Sequence, residues 1–213
     1  MRNKFIVFDL DDTLVYEIDF LKSAYLEIAK KLDEKEFLKL YKQMMDWYMN
    51  ESNVFNHLEN LYNVDKKQLL DIYRSHFPNI KLIDGAKEIL TFCKENAYKL
   101  GLVSDGRSLT QRNKLKALGI ENLFDKIVIS EEFGSKKPSE SNFKVFLESE
   151  NTDYFYIADN PEKDFVSPNK LGWFTVCLLA TPNNIHQQNF DGEPMFLPQL
   201  KVKNLIELKE ILK

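Results

Sequence analysis

What the chain has little of narrows it first. Only two of its 213 residues are cysteine, Cys93 and Cys177, far apart and without CxxC spacing. Each sits in an apolar run, so two buried reduced thiols are expected rather than a disulfide framework or a thiolate metal site. A reducing cytoplasm is the matching compartment. No apolar run approaches the ~18 residues a membrane span needs; Phe5–Phe8 is broken at once by Asp9. The opening residues lack a long apolar segment and a small-residue cleavage site, so no signal peptide is read there. Basic blocks are absent, and 29 basic against 33 acidic residues leave −4, which argues against a nucleic-acid partner. No repeat or low-complexity tract interrupts the chain. Between Leu14 and Asp84 there is no glycine.

What is present is a folded composition. Hydrophobic residues make up 44% and aromatics 13%, which excludes a disordered chain. At about 150 residues per domain the length corresponds to roughly 1.4 domains, or one core with an insertion. The glycine-free stretch supplies that insertion. Leu21, Tyr25, Ile28, Ala29 and Leu32 follow helical spacing, as do Phe37–Tyr48, Phe55–Tyr62 and Leu69–Tyr73. The spacing predicts an all-helical cap over residues 15–83, with Pro78 closing its last helix. From Ala86 on, helices alternate with short apolar strands: Ala86–Asn96, then Lys99–Ser104; Leu109–Leu118, then Lys126–Ser130. Ser141–Ser149 leads to Tyr154–Ala158, and Glu162–Leu171 to Phe174–Leu179. This alternation predicts βαβ units and a Rossmann-like parallel sheet, an α/β core made of residues 1–14 and 84–213. Residues 181–199 read as a polar loop and Asn204–Leu212 as a closing helix.

Ligands of an open α/β sheet bind beyond the carboxyl ends of its strands, so the polar residues there carry the functional reading. The first strand, Phe5–Leu10, runs into FDLDDTLV. Strand alternation puts Asp9 and Asp11 on one side, ~6 to 7 Å apart at Cα, with room for a cation between them. Hard carboxylate oxygens suit Mg²⁺. With 15 Asp and 6 Thr in the chain, D-x-D-x-T arises by chance roughly 0.03 times. The second strand ends in LGLVSDG, where Ser104, Asp105 and Gly106 open a helix, as in anion sites built from a hydroxyl and backbone N–H groups. GSKKPSESNF places Lys137 beside Pro138, where a fixed ammonium can face a phosphate. YFYIADNPEKDF carries Asp159 and Asp164.

The order D-x-D-x-T, Ser, Lys-Pro, Asp-x4-Asp, each at a strand end or in the loop after it, resembles the haloacid dehalogenase-like (HAD) hydrolases over nearly the whole chain. The helical segment between the first two motifs resembles that family's branch with a cap at this point. The resemblance implies that Asp9 is the nucleophile, forming an aspartyl-phosphate, and that Asp11 is the general acid/base. It implies that Ser104 and Lys137 hold the phosphoryl oxygens, with Asp105 and Gly106 beside them. Asp159 would bind Mg²⁺ together with Asp9 and the backbone carbonyl of Asp11, and Asp164 would stand near the metal or orient Lys137. The family's dehalogenases lack the second Asp, so Asp11 favours phosphoryl transfer. Two positions depart from the family pattern: Ala158 stands for the usual Gly, and Asp105 for the usual Asn.

The expected activity is a Mg²⁺-dependent phosphatase acting on a small phosphomonoester, a sugar phosphate or a nucleotide, under a cap that excludes water. The partner is then a small phosphorylated metabolite, with neither nucleic acid nor membrane. A phosphomutase using the same core and a non-catalytic binding module are the alternatives; the retained Asp9, Asp11, Lys137 and Asp159 speak against the second. Candidate substrate contacts are Tyr16, Glu17 and Phe20 after the first motif and Arg107 after the second. Trp47, Tyr48 and His57 lie deeper in the cap, where helical spacing reads first as packing.

Overall fold

A computed structural model describes residues 3–213; the first two residues of the expected core segment lie outside it. Six parallel strands form one sheet in the order β3-β2-β1-β4-β5-β6. They are β1 (Asn3–Phe8), β2 (Lys99–Ser104), β3 (Lys126–Ile129), β4 (Thr152–Ala158), β5 (Phe174–Leu178) and β6 (Leu200–Val202). Strand β1 is central and buried on both faces, which is why it reads as an unbroken apolar run. Its side chains alternate. Ile6 and Phe8 enter one cluster with Ile89, Leu102 and Leu115, while Phe5 and Val7 enter the other with Phe143, Phe146 and Trp173. Each such fully buried aliphatic or Phe side chain stabilises the fold by about 1.5–3 kcal/mol. Gly101 has a packing reason: a Cβ there would lie 2.5 Å from the Phe146 ring.

The first four helices after β1 are α1 (Glu17–Leu32), α2 (Phe37–Met49), α3 (Val54–Tyr62) and α4 (Lys66–Ser75). They bury a cluster of their own around Tyr25, Ile28, Met44, Leu58 and Leu69, as an inserted cap must. Trp47 stacks on His57 at 4.5 Å and Tyr48 meets Tyr25 edge-on; all serve this packing. The core helices are α5 (Ala86–Glu95), α6 (Ser108–Ala117), α7 (Ser130–Phe133), α8 (Ser141–Lys144), α9 (Val166–Lys170) and α10 (Leu208–Ile211).

Several elements differ from the sequence expectation. The helix expected over Ser141–Ser149 stops at Lys144, because the Tyr154 hydroxyl accepts the Glu148 amide that would continue it. The helix expected from Glu162 begins at Val166. Asn160 Oδ1 takes the Glu162 amide and Asp164 Oδ2 takes the Asn160 amide, which holds residues 160–164 as a turn. Strand β6 has only three residues, too short for an alternation to register in sequence. The closing helix begins as a 3-10 turn, Leu205–Glu207, under an Asn204/Glu207 capping box. Both cysteines are free and buried, and no described helix is long and apolar enough to cross a membrane.

Candidate active site

The strand order reverses around β1. The chain leaves it toward β2 and β3, then returns to β4 on its other side. The crevice at such a switch point, beyond the strand carboxyl ends, is where α/β sheets bind ligands. A cavity of about 130 Å³ lies there, lined by Asp9, Asp11, Asp12, Glu17, Ser104, Asp105, Lys137, Asp159, Asn160, Lys163 and His186.

Asp9 leaves the end of β1, its amide bonded to the Ile157 carbonyl of β4 at 2.9 Å. Beyond it the chain turns tightly: the Leu10 carbonyl accepts the amides of Thr13, Leu14 and Val15, and Asp12 adopts φ +55°. Strand alternation therefore does not extend past Phe8, and the Asp11 carboxylate stands outside the carboxylate cluster that includes Asp9. The Asp11 carboxylate instead accepts from Lys114 Nζ at 2.6 Å and Gln111 Nε2 at 2.8 Å. The carboxylates that converge are those of Asp9, Asp159 and Asp164, with oxygens within 4.8 Å of one another.

Lys137 sits against this cluster. Its Nζ is 2.8 Å from Asp9 Oδ1 and 2.7 Å from Asp164 Oδ1, and 3.3 Å from the Tyr156 hydroxyl. Burial opposes its charge, yet Asp164 and Asp9 outweigh burial and hold the ammonium well above its ordinary pKa. Burial pushes the Asp9 carboxyl up to about 6 despite Lys137. Burial, with Asp9 and Asp164 adding repulsion, pushes Asp159 up to about 9. Three carboxylates against one ammonium leave a formal −2, and the oxygen-only donor set suits a hard divalent cation. Asp164 is fully buried, with one oxygen on Lys137 and Tyr156 and the other on the Asn160 amide.

Ser104 is buried at the end of β2. The Asp105 carboxylate accepts the Lys137 amide at 3.1 Å, which ties the Lys137 loop to β2. A side-chain oxygen is what that bond requires, so Asp satisfies it where Asn is usual. Gly106 lies outside the lining, its amide donating to the Ser130 hydroxyl at 2.9 Å. Arg107 also stays outside, exposed and paired with Glu131 at 3.4 Å. Phe20 is buried against Tyr73 and His76, and the Tyr16 hydroxyl accepts from Thr181; neither lines the cavity. Glu17 does, and burial together with Asp11 pushes its carboxyl up to about 7.

The loop over residues 181–199 forms part of the wall. The Ile185 amide donates to Asp12 Oδ2 at 3.2 Å, and Gln188 Nε2 donates to the Asp159 carbonyl at 2.6 Å. His186 lies 3.8 Å from Glu17. Asp12 thus joins this loop to the start of α1, because its other oxygen takes the Glu17 amide. Nothing in the polar run 181–199 marks His186 for this position. Lys163, by contrast, adjoins Asp164 in the last motif and could have been singled out there.

The sequence profile of haloacid dehalogenase-like hydrolases matches residues 6–178. A glyceraldehyde 3-phosphate phosphatase of Methanocaldococcus jannaschii is 31% identical over 196 residues, covering 83% of this chain and 85% of that one. The pyrimidine 5'-nucleotidase YjjG of Escherichia coli is 26% identical over 230 residues, covering 100% and 99%. In fold, a HAD phosphatase from Thermococcus onnurineus superimposes with a TM-score of 0.63 at 19% identity, over 100% of this chain and 98% of that one.

Proposed function

Because the chain belongs to the haloacid dehalogenase-like hydrolase family, we propose that it is a Mg²⁺-dependent phosphatase of a short sugar phosphate, working through an aspartyl-phosphate on Asp9. Its full-length relatives are named as phosphatases of small phosphorylated metabolites, and this chain is a phosphomonoester hydrolase of that kind. The observation that carries the mechanism is the convergence of Asp9, Asp159 and Lys137 on one acidic cavity, with Asp164 buried behind them. Residues 15–83 act as the cap, and a reducing cytoplasm suits the two free thiols.

In this reading an Asp9 oxygen attacks phosphorus, and the bond to the leaving oxygen breaks. Its electron pair goes to that oxygen, which takes a proton from Asp11. Water then attacks the aspartyl-phosphate while Asp11 takes its proton, and the bond to Asp9 breaks. A carboxylate nucleophile divides the hydrolysis into two easier steps, and charge stabilisation around the phosphoryl oxygens carries most of the catalysis. Lys137 and Ser104 hold those oxygens. Asp9, Asp159 and the Asp11 carbonyl would hold the Mg²⁺, which supplies the positive charge needed to bring a phosphate dianion among six lining carboxylates and two lysines.

The cavity favours a short substrate, since about 130 Å³ is well below the roughly 300–1,000 Å³ of ordinary small-molecule sites. Phosphate release should be fastest from three-carbon sugar phosphates in a Mg²⁺-containing screen that also holds hexose phosphates and nucleoside monophosphates. Faster release from nucleotides, or equal release in EDTA, would overturn the reading. Conversion of hexose 1-phosphate to 6-phosphate without free phosphate would instead make it a mutase.

Metal binding has a readout without turnover. Asp9 and Asp159 carry folded pKa values of about 6 and about 9, above an unfolded value of about 3.9. A raised folded pKa gives stability that is complete below the unfolded pKa and lost as pH rises through the folded one. Metal-free protein should therefore lose stability between about pH 4 and pH 9. Mg²⁺ at 100-fold over its Kd adds about 2.7 kcal/mol, or about 5–10 °C in Tm at this length. Thermal melts should show the larger Mg²⁺ shift at pH 8.5 than at pH 5.5; an equal shift would place the metal elsewhere.

A further inference from the structure

The Asp11 carboxylate is held from below by two residues of α6 that carry no motif of their own. Lys114 is buried, and its Nζ donates to Asp11 Oδ1 at 2.6 Å while lying 4.4 Å from the Phe20 ring centroid of α1. Gln111 is also buried. Its Nε2 donates to Asp11 Oδ2 at 2.8 Å and to Ser104 Oγ at 2.5 Å. Gly106, at φ +149°, leaves room for it, since a Cβ there would lie 3.1 Å from Gln111 Cγ and Cδ. A buried ammonium is costly unless paired, and this one spends its charge on the group that must meet the leaving oxygen. Proton transfer requires that carboxyl within about 2.6–3.2 Å of the proton it moves.

We propose that Lys114 and Gln111 are positioning residues that fix the Asp11 carboxyl for proton transfer to the leaving group, with Gln111 also setting the Ser104 hydroxyl. Two donors, one on each oxygen, allow the carboxyl a single rotamer. Because Ser104 Oγ accepts from Gln111, its own hydrogen remains available to a phosphoryl oxygen. Phe20 over Lys114 links this arrangement to the first helix of the cap. The inference rests on the acid/base reading of Asp11, and leaving-group dependence separates the two.

The first chemical step is read by kcat/KM. The leaving group of glyceraldehyde 3-phosphate is an alkoxide that needs a proton, whereas that of p-nitrophenyl phosphate is a stable phenolate that does not. General acid catalysis contributes about 10²–10⁴-fold. Asp11→Asn should cost that much with the first substrate and less than about 5-fold with the second. Lys114→Met should cost on the order of 30-fold with the first substrate and spare the second, while Gln111→Met should cost on the order of 10-fold with the first and clearly less, about 2-fold, with the second, which still loses the Ser104 contact. If Asp11→Asn lowers both substrates alike, the acid/base reading itself fails. If Asp11→Asn discriminates but Lys114→Met and Gln111→Met reduce both substrates in proportion, or neither, the positioning role is overturned. Should Lys114→Met not melt cooperatively, Gln111→Met decides alone by the same criterion.

Discussion

Asp9→Asn protein should fold normally and release no measurable phosphate, a loss on the order of 10⁴-fold or more, as for other removed nucleophiles. The substitution is nearly isosteric. Asn keeps an oxygen to accept from Lys137 Nζ, now 2.8 Å from Asp9 Oδ1, but its amide is no nucleophile toward phosphorus. Stability should not fall, because the change removes one of three mutually repelling buried carboxylates. Asp159, which Asp9 helps to push up to about 9, should then ionise more readily, so metal-free protein should melt at or above the parent temperature at pH 8. Phosphate assay and thermal melts on the same preparation check both halves. Substantial residual turnover, or an activity loss accompanied by a collapsed melt, would remove Asp9 from the nucleophile's role.

Lys137→Met should damage both stability and activity. The ammonium bridges Asp9 and Asp164 with almost no exposure to solvent, and removing it leaves two buried carboxylates facing each other. Breaking a buried pair in this way costs about 3–5 kcal/mol, or about 10 °C in Tm for a chain of this size. The sign with pH follows. Burial already pushes Asp9 up to about 6 against the lowering effect of Lys137, so without the ammonium it takes a proton more readily; the penalty should be small near pH 5 and grow toward pH 8. The double variant Lys137→Met/Asp164→Asn should regain part of the lost stability but not the activity, because the ammonium proposed to hold the phosphoryl oxygens is still missing. A Lys137→Met protein melting within about 2 °C of the parent at pH 8 would contradict the electrostatic account of this cluster.

The two residues differ in how openly the sequence announces them. Asp9 ends an apolar run, so both its strand and its place at the strand's carboxyl end are local facts. Lys137 is one of two adjacent lysines, and only its place in the order of four motifs separates it from Lys136. The lysine that reaches Asp11 is harder still. Lys114 lies inside a helix among Lys114, Lys116 and Arg112, with no spacing to mark it as the buried one.

Apart from the three-residue β6, the strands, the inserted helical segment and the acidic strand ends were legible in the sequence, because each is encoded by neighbours a few residues apart. The tertiary structure alone decided where the carboxylates turn. Asp11 meets Gln111 and Lys114, 100 and 103 residues away, and Asp12 meets Ile185, 173 residues away. Such contacts depend on how separate elements pack against β1, and no local periodicity records that. For the same reason Arg107, one residue past the second motif's Asp-Gly, turns to Glu131 and leaves the site, while His186, from an unmarked loop, stands at its wall.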